Sequence, residues 1–243
     1  MKSVAVFSIK GGVGKTATAV NLAYAAATVG ARRTLLWDLD PQGAATYTLR
    51  LRPLAGASAR KQIASDAALD GLIQATDYPN LDVLAADKSL RHLERQLAAD
   101  DKSKRLRKML RSLGEDYDRV IIDAPPGLTE LAEQLFRAVD CLVVPMLPSP
   151  LSLRARDQLA AHLAKHHAGK APPVIGVYSM VDRRKALHRS TVDATPDLVA
   201  IPYASAIEQM AVVLAPLGAT APRSAAARAF GTLWTQVERQ LIG

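Results

Sequence analysis

Apolar and polar positions along the 243-residue chain follow two alternating patterns. Short, nearly continuous apolar runs lie at 3–9, 34–38, 81–85, 119–123, 141–146, 174–180 and 199–201. Their length and β-branched content predict strands. Continuous rather than alternating apolarity predicts strands covered on both faces. Between them the spacing turns helical. Segment 17–29 is Ala-rich, and Leu90, Leu93 and Leu97 recur at three- and four-residue intervals, as do Leu106, Met109, Leu110 and Leu113. Segments 151–167, 204–214 and 223–241 share that helical pattern. The alternation predicts an α/β fold: a doubly wound, mostly parallel sheet with helices on both faces. Pro148, Pro150 and the pair Pro172-Pro173 mark turns rather than linkers. No internal repeat interrupts the chain, so residues 1–243 are expected to form one domain.

Candidate chemistry begins where the first strand ends. Lys10-Gly11-Gly12-Val13-Gly14-Lys15-Thr16 follows a predicted strand and opens a predicted helix, the context a phosphate-binding loop requires. Glycines let main-chain amides approach phosphate oxygens, and the helix N-terminus adds partial positive charge. Lys15 is placed to reach the β- and γ-phosphates, and Thr16 to offer a hydroxyl to Mg²⁺. Gly11, Gly12, Val13, Gly14 and Ala17 complete the expected nucleotide contacts. The common form G-x-x-x-x-G-K-S/T wants glycine where Ile9 stands, and here Lys10 precedes the glycine pair.

Acidic residues follow at two later strand ends. Leu36-Trp37-Asp38-Leu39-Asp40-Pro41-Gln42-Gly43 places two carboxylates where ligands of open α/β sheets bind. The same residues also suit a plain turn, since Asp before Pro starts turns well. Val120-Ile121-Ile122-Asp123-Ala124-Pro125-Pro126-Gly127 is an apolar strand ending in an acid, a Walker B pattern whose Asp holds Mg²⁺ directly or through water.

Together these motifs resemble the deviant Walker A ATPases of the ParA/MinD family, a branch of the P-loop NTPases. That resemblance implies an ATPase using ATP and Mg²⁺, closing as a homodimer when ATP-bound. It implies that Lys10 reaches across the dimer to the partner's nucleotide. Asp40 then positions the attacking water, Asp38 joins the Mg²⁺/water network, and Asp123 with Thr16 holds the metal. Lys10, Lys15 and Asp40 are thus the catalytic expectations. Shorter similarities continue the order: Val144-Pro145-Met146, then Val177–Arg184, then Ile201-Pro202-Tyr203. They place Met180, Asp182 and Pro202 near the adenine base. The loop begins at residue 10, as in the short ParA type, which lacks the helix-turn-helix extension of larger partition ATPases. No N-K-x-D or T-K-x-D motif is present, which favours ATP over GTP, and the single cysteine excludes the family's iron–sulfur branch.

Composition adds one constraint. The formal net charge is +8, and a basic balance of this size favours polyanions, nucleic acid or an acidic membrane. The cations cluster at Lys102, Lys104, Arg105, Arg107, Lys108 and Arg111, at Arg183, Arg184, Lys185, His188 and Arg189, and sparsely at Arg223, Arg228 and Arg239. The first group, interleaved with leucines, suits a solvated helix face. By family resemblance Arg184, Arg189 and Arg223 are the expected non-specific DNA contacts, and a ParB-like or other cargo adaptor is the expected partner. The final helix carries Phe230, Leu233, Trp234, Val237 and Leu241 on one side with few lysines opposite, which suits packing on the sheet better than membrane binding.

His162 and His166 share a helix face, yet no acid stands at zinc-motif spacing, so no metal site beyond that for Mg²⁺ is expected. Cys141 opens an apolar strand and is expected to be buried and unbridged; one cysteine and no secretory or membrane-spanning segment suit a reducing cytoplasm, with nucleoid association following from DNA binding. The expectation is a slow, partner-stimulated ATPase that partitions or positions a DNA or protein-complex cargo. Two alternatives stay open: a MinD-like membrane-cycling regulator, and an ATP-binding adaptor with little turnover.

Overall fold

The phosphate-loop motif emerges from the middle of a sheet. The structure, a computed structural model, describes residues 1–52, 72–86 and 105–243. Its strands are β1 (Lys2–Val6), β2 (Thr34–Asp38), β3 (Ile73–Ala75), β4 (Leu81–Leu84), β5 (Arg119–Asp123), β6 (Cys141–Met146), β7 (Val174–Val181) and β8 (Val199–Pro202). Among the described residues they form one eight-stranded sheet in the order β3-β4-β2-β5-β1-β6-β7-β8. All pairings are parallel except β3 against β4. The central strands β1, β2, β5 and β6 are buried along almost their whole length, as continuous apolar runs require.

Alternation within β1 divides the core. Val4 and Val6 face helix α1 (Lys15–Thr28) and the last helix α10 (Ala225–Ile242). Ala5 and Phe7 face α3 (Arg105–Ser112), α4 (Glu130–Ala138) and α5 (Pro150–His166) on the other side. Phe230, Leu233, Trp234, Val237 and Leu241 of α10 are all buried, so the apolar stripe of the last helix is packed on the sheet. On α3, Leu106, Met109 and Leu110 are buried while Arg107, Lys108 and Arg111 are exposed, the solvated charged face expected there. The helix expected around Leu90, Leu93 and Leu97, and the cations Lys102 and Lys104, lie outside the described residues. Among these residues, no helix is long and apolar enough to cross a membrane.

Several boundaries differ from the sequence reading. β1 ends at Val6 rather than at residue 9: Phe7 still donates to Val143, but Ser8 onward belongs to the loop. The helix expected over 204–214 is two single turns, α7 (Ser205–Glu208) and α8 (Met210–Val213), and Leu214 at φ 54° ends the second. Strand β3, α2 (Ala44–Thr48), α4, α6 (Ala186–Asp193) and α9 (Leu217–Thr220) were not expected from pattern alone. Most are short, and α6 buries only Val192, so they carry little periodic apolar signal; α4, which buries Leu131, Leu135 and Phe136, carries one that the sequence reading missed.

Candidate nucleotide site

The loop between β1 and α1 leaves the carboxyl edge of the sheet at its centre. Gly12 and Gly14 take φ of 72° and 80°, a left-handed conformation that costs a side-chain-bearing residue energy. A Cβ on Gly12 would still meet only open space, so the demand there is conformational rather than steric. Gly14 caps α1, and Thr18 closes the first turn onto the Gly14 carbonyl through both its amide (2.9 Å) and its hydroxyl (2.8 Å). The amides of Lys15, Thr16 and Ala17 precede that bond and belong to the helix's unsatisfied first turn. They form, with the glycine amides, a concentrated patch of donors suited to an anion.

Neighbouring strand ends hold the loop in place. Ser179 Oγ, on β7, donates to the Val13 carbonyl at 2.8 Å, and the Gly127 amide donates to the Ser8 carbonyl at 3.4 Å. Met180, next along β7, adopts φ 54° where the β7–β8 register shifts. Its Cε comes within 3.7 Å of where a Cβ on Gly14 would stand. Left-handed backbone at a methionine is strained and marks a place where structure outside the residue dictates its geometry.

The charged groups meet across the sheet. Asp38 at the end of β2 and Asp123 at the end of β5 are register partners, and both are fully buried. Asp38 Oδ2 accepts from the Thr46 amide (2.8 Å) and hydroxyl (2.7 Å), while Oδ1 has no partner. Both Asp123 oxygens are likewise without a partner. The Thr16 hydroxyl and the Asp40 amide lie close enough to favour the charged carboxylates, but neither completes a hydrogen bond to these bare oxygens. Burial pushes Asp38 up to about 6, with Asp40 adding to the rise and Thr46 opposing it. Burial, then the Asp38 charge, pushes Asp123 up to about 8. Lys15 is buried too; desolvation lowers its pKa, and Asp123 and Asp40 pull it back up.

Three buried carboxylate oxygens thus lack a hydrogen-bond donor, beside a lysine and a threonine hydroxyl. Burying such groups bare is costly, and a hard divalent cation taking oxygen ligands relieves the cost. Asp38, Asp123 and Thr16 therefore fit Mg²⁺. Asp40 is half-buried, and both readings of it are present. Its Oδ1 accepts from the Gln42 amide at 2.9 Å in a turn, and its charge acts on Lys15. Lys10 is half-buried in the loop, where its amide donates to Ser8 Oγ at 3.3 Å.

The outlying expected residues divide. Pro202 ends β8, and the Tyr203 amide after it donates to Val181 at 2.9 Å, which brings the β7 and β8 ends together near the loop. Asp182 accepts from Arg184 Nε at 2.8 Å and Nη2 at 3.0 Å, and that exposed guanidinium holds its carboxyl low, at about 2. Arg189 is exposed on α6, and Arg223 is exposed just before α10. Thr46 and Ser179 were missed by sequence reading. Thr46 carries no motif, and Ser179 sat inside a segment noted only for its neighbours.

Comparison with known proteins bears on this geometry. A family model described as AAA domain matches residues 1–171. The sporulation initiation inhibitor protein Soj of Bacillus subtilis is 35% identical over 191 residues, 76% of this chain and 75% of that protein. The chromosome partitioning protein ParA of Caulobacter vibrioides is 33% identical over 199 residues, 77% of this chain and 72% of that protein. The chain belongs to the ParA/MinD family of ATPases. One similar solved structure is cobyrinic acid a,c-diamide synthase from Mycobacterium smegmatis with bound ATP analogue and magnesium. It is 25% identical with a TM-score of 0.83, covering 100% of this chain and 96% of that one. A ParA/MinD-type core thus underlies different activities, and the site, not the fold, must carry the functional argument.

Proposed function

We propose that this chain is a Mg²⁺-dependent ATPase whose ATP-bound form is a sandwich dimer that binds DNA without sequence preference. In that reading the dimer partitions or positions a cargo through a ParB-like or other adaptor protein. The observation that carries it is the trio of unpartnered oxygens on Asp38 and Asp123 beside Lys15 at the mouth of the glycine loop. Phosphoryl transfer needs positioning and charge neutralisation rather than covalent chemistry, and this arrangement supplies both. Mg²⁺, when bound with nucleotide, contributes neutralisation of charge on the phosphate oxygens.

The chain's own residues do the rest. Main-chain amides from Gly11 to Ala17 seat the phosphates, and Lys15 takes charge from them as it builds toward the leaving group. Asp40 orients the attacking water. Lys10 acts in trans on the partner's nucleotide. Met180, Asp182 and Pro202 border the base. Arg184, Arg189 and Arg223 contact DNA phosphates, so affinity should fall steeply with salt. Turnover is slow until an adaptor stimulates it.

A DNA gel shift with and without ATP, run beside liposome sedimentation, tests the reading. ATP-dependent DNA retention without vesicle binding is expected. Vesicle binding without DNA retention would instead support a membrane-cycling regulator. Lys15→Ala should abolish ATP binding in calorimetry, while Lys10→Ala should bind ATP and lose turnover. Normal turnover in the Lys10 variant would refute action in trans.

A further inference from the structure

Away from the nucleotide, two helices bring together residues that are far apart in sequence. Glu133 lies on α4, His162 on α5, and His167 at the C-cap of α5. Helical spacing pairs His162 with His166, four residues on, and their rings stand 4.6 Å apart. The helix ends there, and His167 leaves it at φ −128° and ψ 25°. His167 turns inward beside His162 and is buried, while His166 is exposed. Glu133 then receives both rings: Oε1 lies 2.5 Å from His162 Nε2 and Oε2 lies 2.8 Å from His167 Nε2.

We propose that Glu133, His162 and His167 form a binding site for zinc, or a divalent transition ion of like preference, separate from the Mg²⁺-nucleotide site. One oxygen and two imidazole nitrogens lie within 4.8 Å of one another. Zinc holds such atoms at about 2.0–2.2 Å, which places tetrahedral neighbours about 3.3–3.5 Å apart, so the His–Glu contacts of 2.5 and 2.8 Å open by roughly 0.5–1 Å to admit the ion. Two imidazoles and a carboxylate are the donor set of open zinc sites, which leave a position for water. The Phe136 ring stands edge-on to both histidines, at centroid distances of 6.2 and 5.6 Å, and fixes their orientation.

The two rings, with centroids 6.2 Å apart, share one carboxylate, so two imidazole nitrogens and an oxygen converge from two helices on one point. Arg137 competes weakly: its Nη2 is 4.0 Å from Glu133 Oε2, on a half-exposed side chain. A cleft of about 810 Å³ lies beside the cluster, lined by Arg107, Arg137, Asp140, His166 and Lys170, with buried His167 in its wall. Because α5 starts at the carboxyl edge of the sheet and rises about 1.5 Å per residue, the cluster sits about 20 Å from that edge.

The test is calorimetric titration of the full chain with zinc chloride, after chelation and with Mg²⁺ in excess so that the phosphate-loop site is not read. One zinc per chain is expected, and cobalt in its place should give visible bands of a four- or five-coordinate ion. Glu133→Gln, His162→Gln and His167→Gln should each weaken binding about a hundredfold or more, while His166→Gln and His188→Gln leave it unchanged. Zinc should also raise the melting temperature of the parent chain and not that of the His162→Gln variant. Circular dichroism confirms that each variant is folded, and the exposed-side His162→Gln decides the matter if His167→Gln is not. Absence of stoichiometric binding, or binding equally lost in His166→Gln, overturns the proposal.

Discussion

The two ends of β5 treat buried charge in opposite ways. At its start Arg119 is 6% exposed and fully engaged. Its Nε and Nη2 reach Glu238 at 2.8 and 2.6 Å, and its Nη1 reaches the Asp118 carbonyl at 2.7 Å. Arg32 adds a second cation to Glu238 at 2.7 Å. At the other end Asp123 is wholly buried with both oxygens bare. One strand thus carries a charge the chain satisfies by itself and a charge it leaves for something else. A satisfied buried ion fixes the docking of α10 on the sheet. An unsatisfied one is a cost retained where binding repays it.

Neutralising the unsatisfied end should give the largest effect. Asp123→Asn should lower steady-state ATP turnover by about 10²–10³-fold, the scale seen when one preorganised charge-stabilising group is removed. The same variant, melted without Mg²⁺ and nucleotide, should be more stable than the parent, because it removes a bare carboxylate. Loss of both activity and stability would mean that Asp123 has a structural partner after all.

Acidity sharpens the contrast further. Asp38 and Asp123 both rise above the ordinary 3.8 on folding, through burial first. Between that value and about 8 the folded chain therefore holds more protons than the unfolded one, and its stability must fall as pH rises. Glu238 behaves oppositely. Its hydrogen bonds and charges from Arg119 and Arg32 outweigh the cost of burial and lower its pKa below 4.5, so its contribution is present above that value and lost in acid. Urea unfolding of the Mg²⁺-free chain from pH 5 to pH 8 should show a decline of about 5 kcal/mol. In an Asp38→Asn, Asp123→Asn double variant that decline should be largely lost.

Breaking the satisfied end should cost folding and spare chemistry. Glu238→Gln leaves Arg119 buried without an anion, while half-exposed Arg32 turns to water. A loss of about 2 kcal/mol in urea unfolding is expected, with ATP turnover per folded molecule within about twofold of the parent.

This contrast also sets how much the sequence could reveal. Lys10–Thr16, Asp38, Asp40 and Asp123 stand in local motifs because a phosphate site needs consecutive amides and strand-end acids, and such spacing is visible in one dimension. Arg119 and Glu238 pair across 119 residues with no motif at either. Glu133 meets His162 and His167 for the same kind of reason: helix packing, not spacing, makes the cluster. Seven of the eight strands were recognisable by short apolar runs, β8 among them at 199–201. Edge strand β3 was not, since three partly exposed residues hold no period.

The smallest expected effect tests whether neutral ties at the nucleotide end matter beside its charges. Ser179 is 4% exposed, and its hydroxyl spans the Val13 carbonyl at 2.8 Å and the Met146 carbonyl at 3.4 Å. It is the side chain that fastens β7 to the glycine loop. Ser179→Ala removes a donor of ordinary strength and leaves the Val13 carbonyl without it, a loss of about 1 kcal/mol. Because Asp38, Asp123 and Lys15 stay in place, the loss should appear as an ATP affinity a few-fold weaker in calorimetry, with turnover at saturating ATP unchanged. If turnover fell as far as in Asp123→Asn, the loop's position rather than its charges would govern catalysis, and the comparison between the two ends of β5 would need a third member.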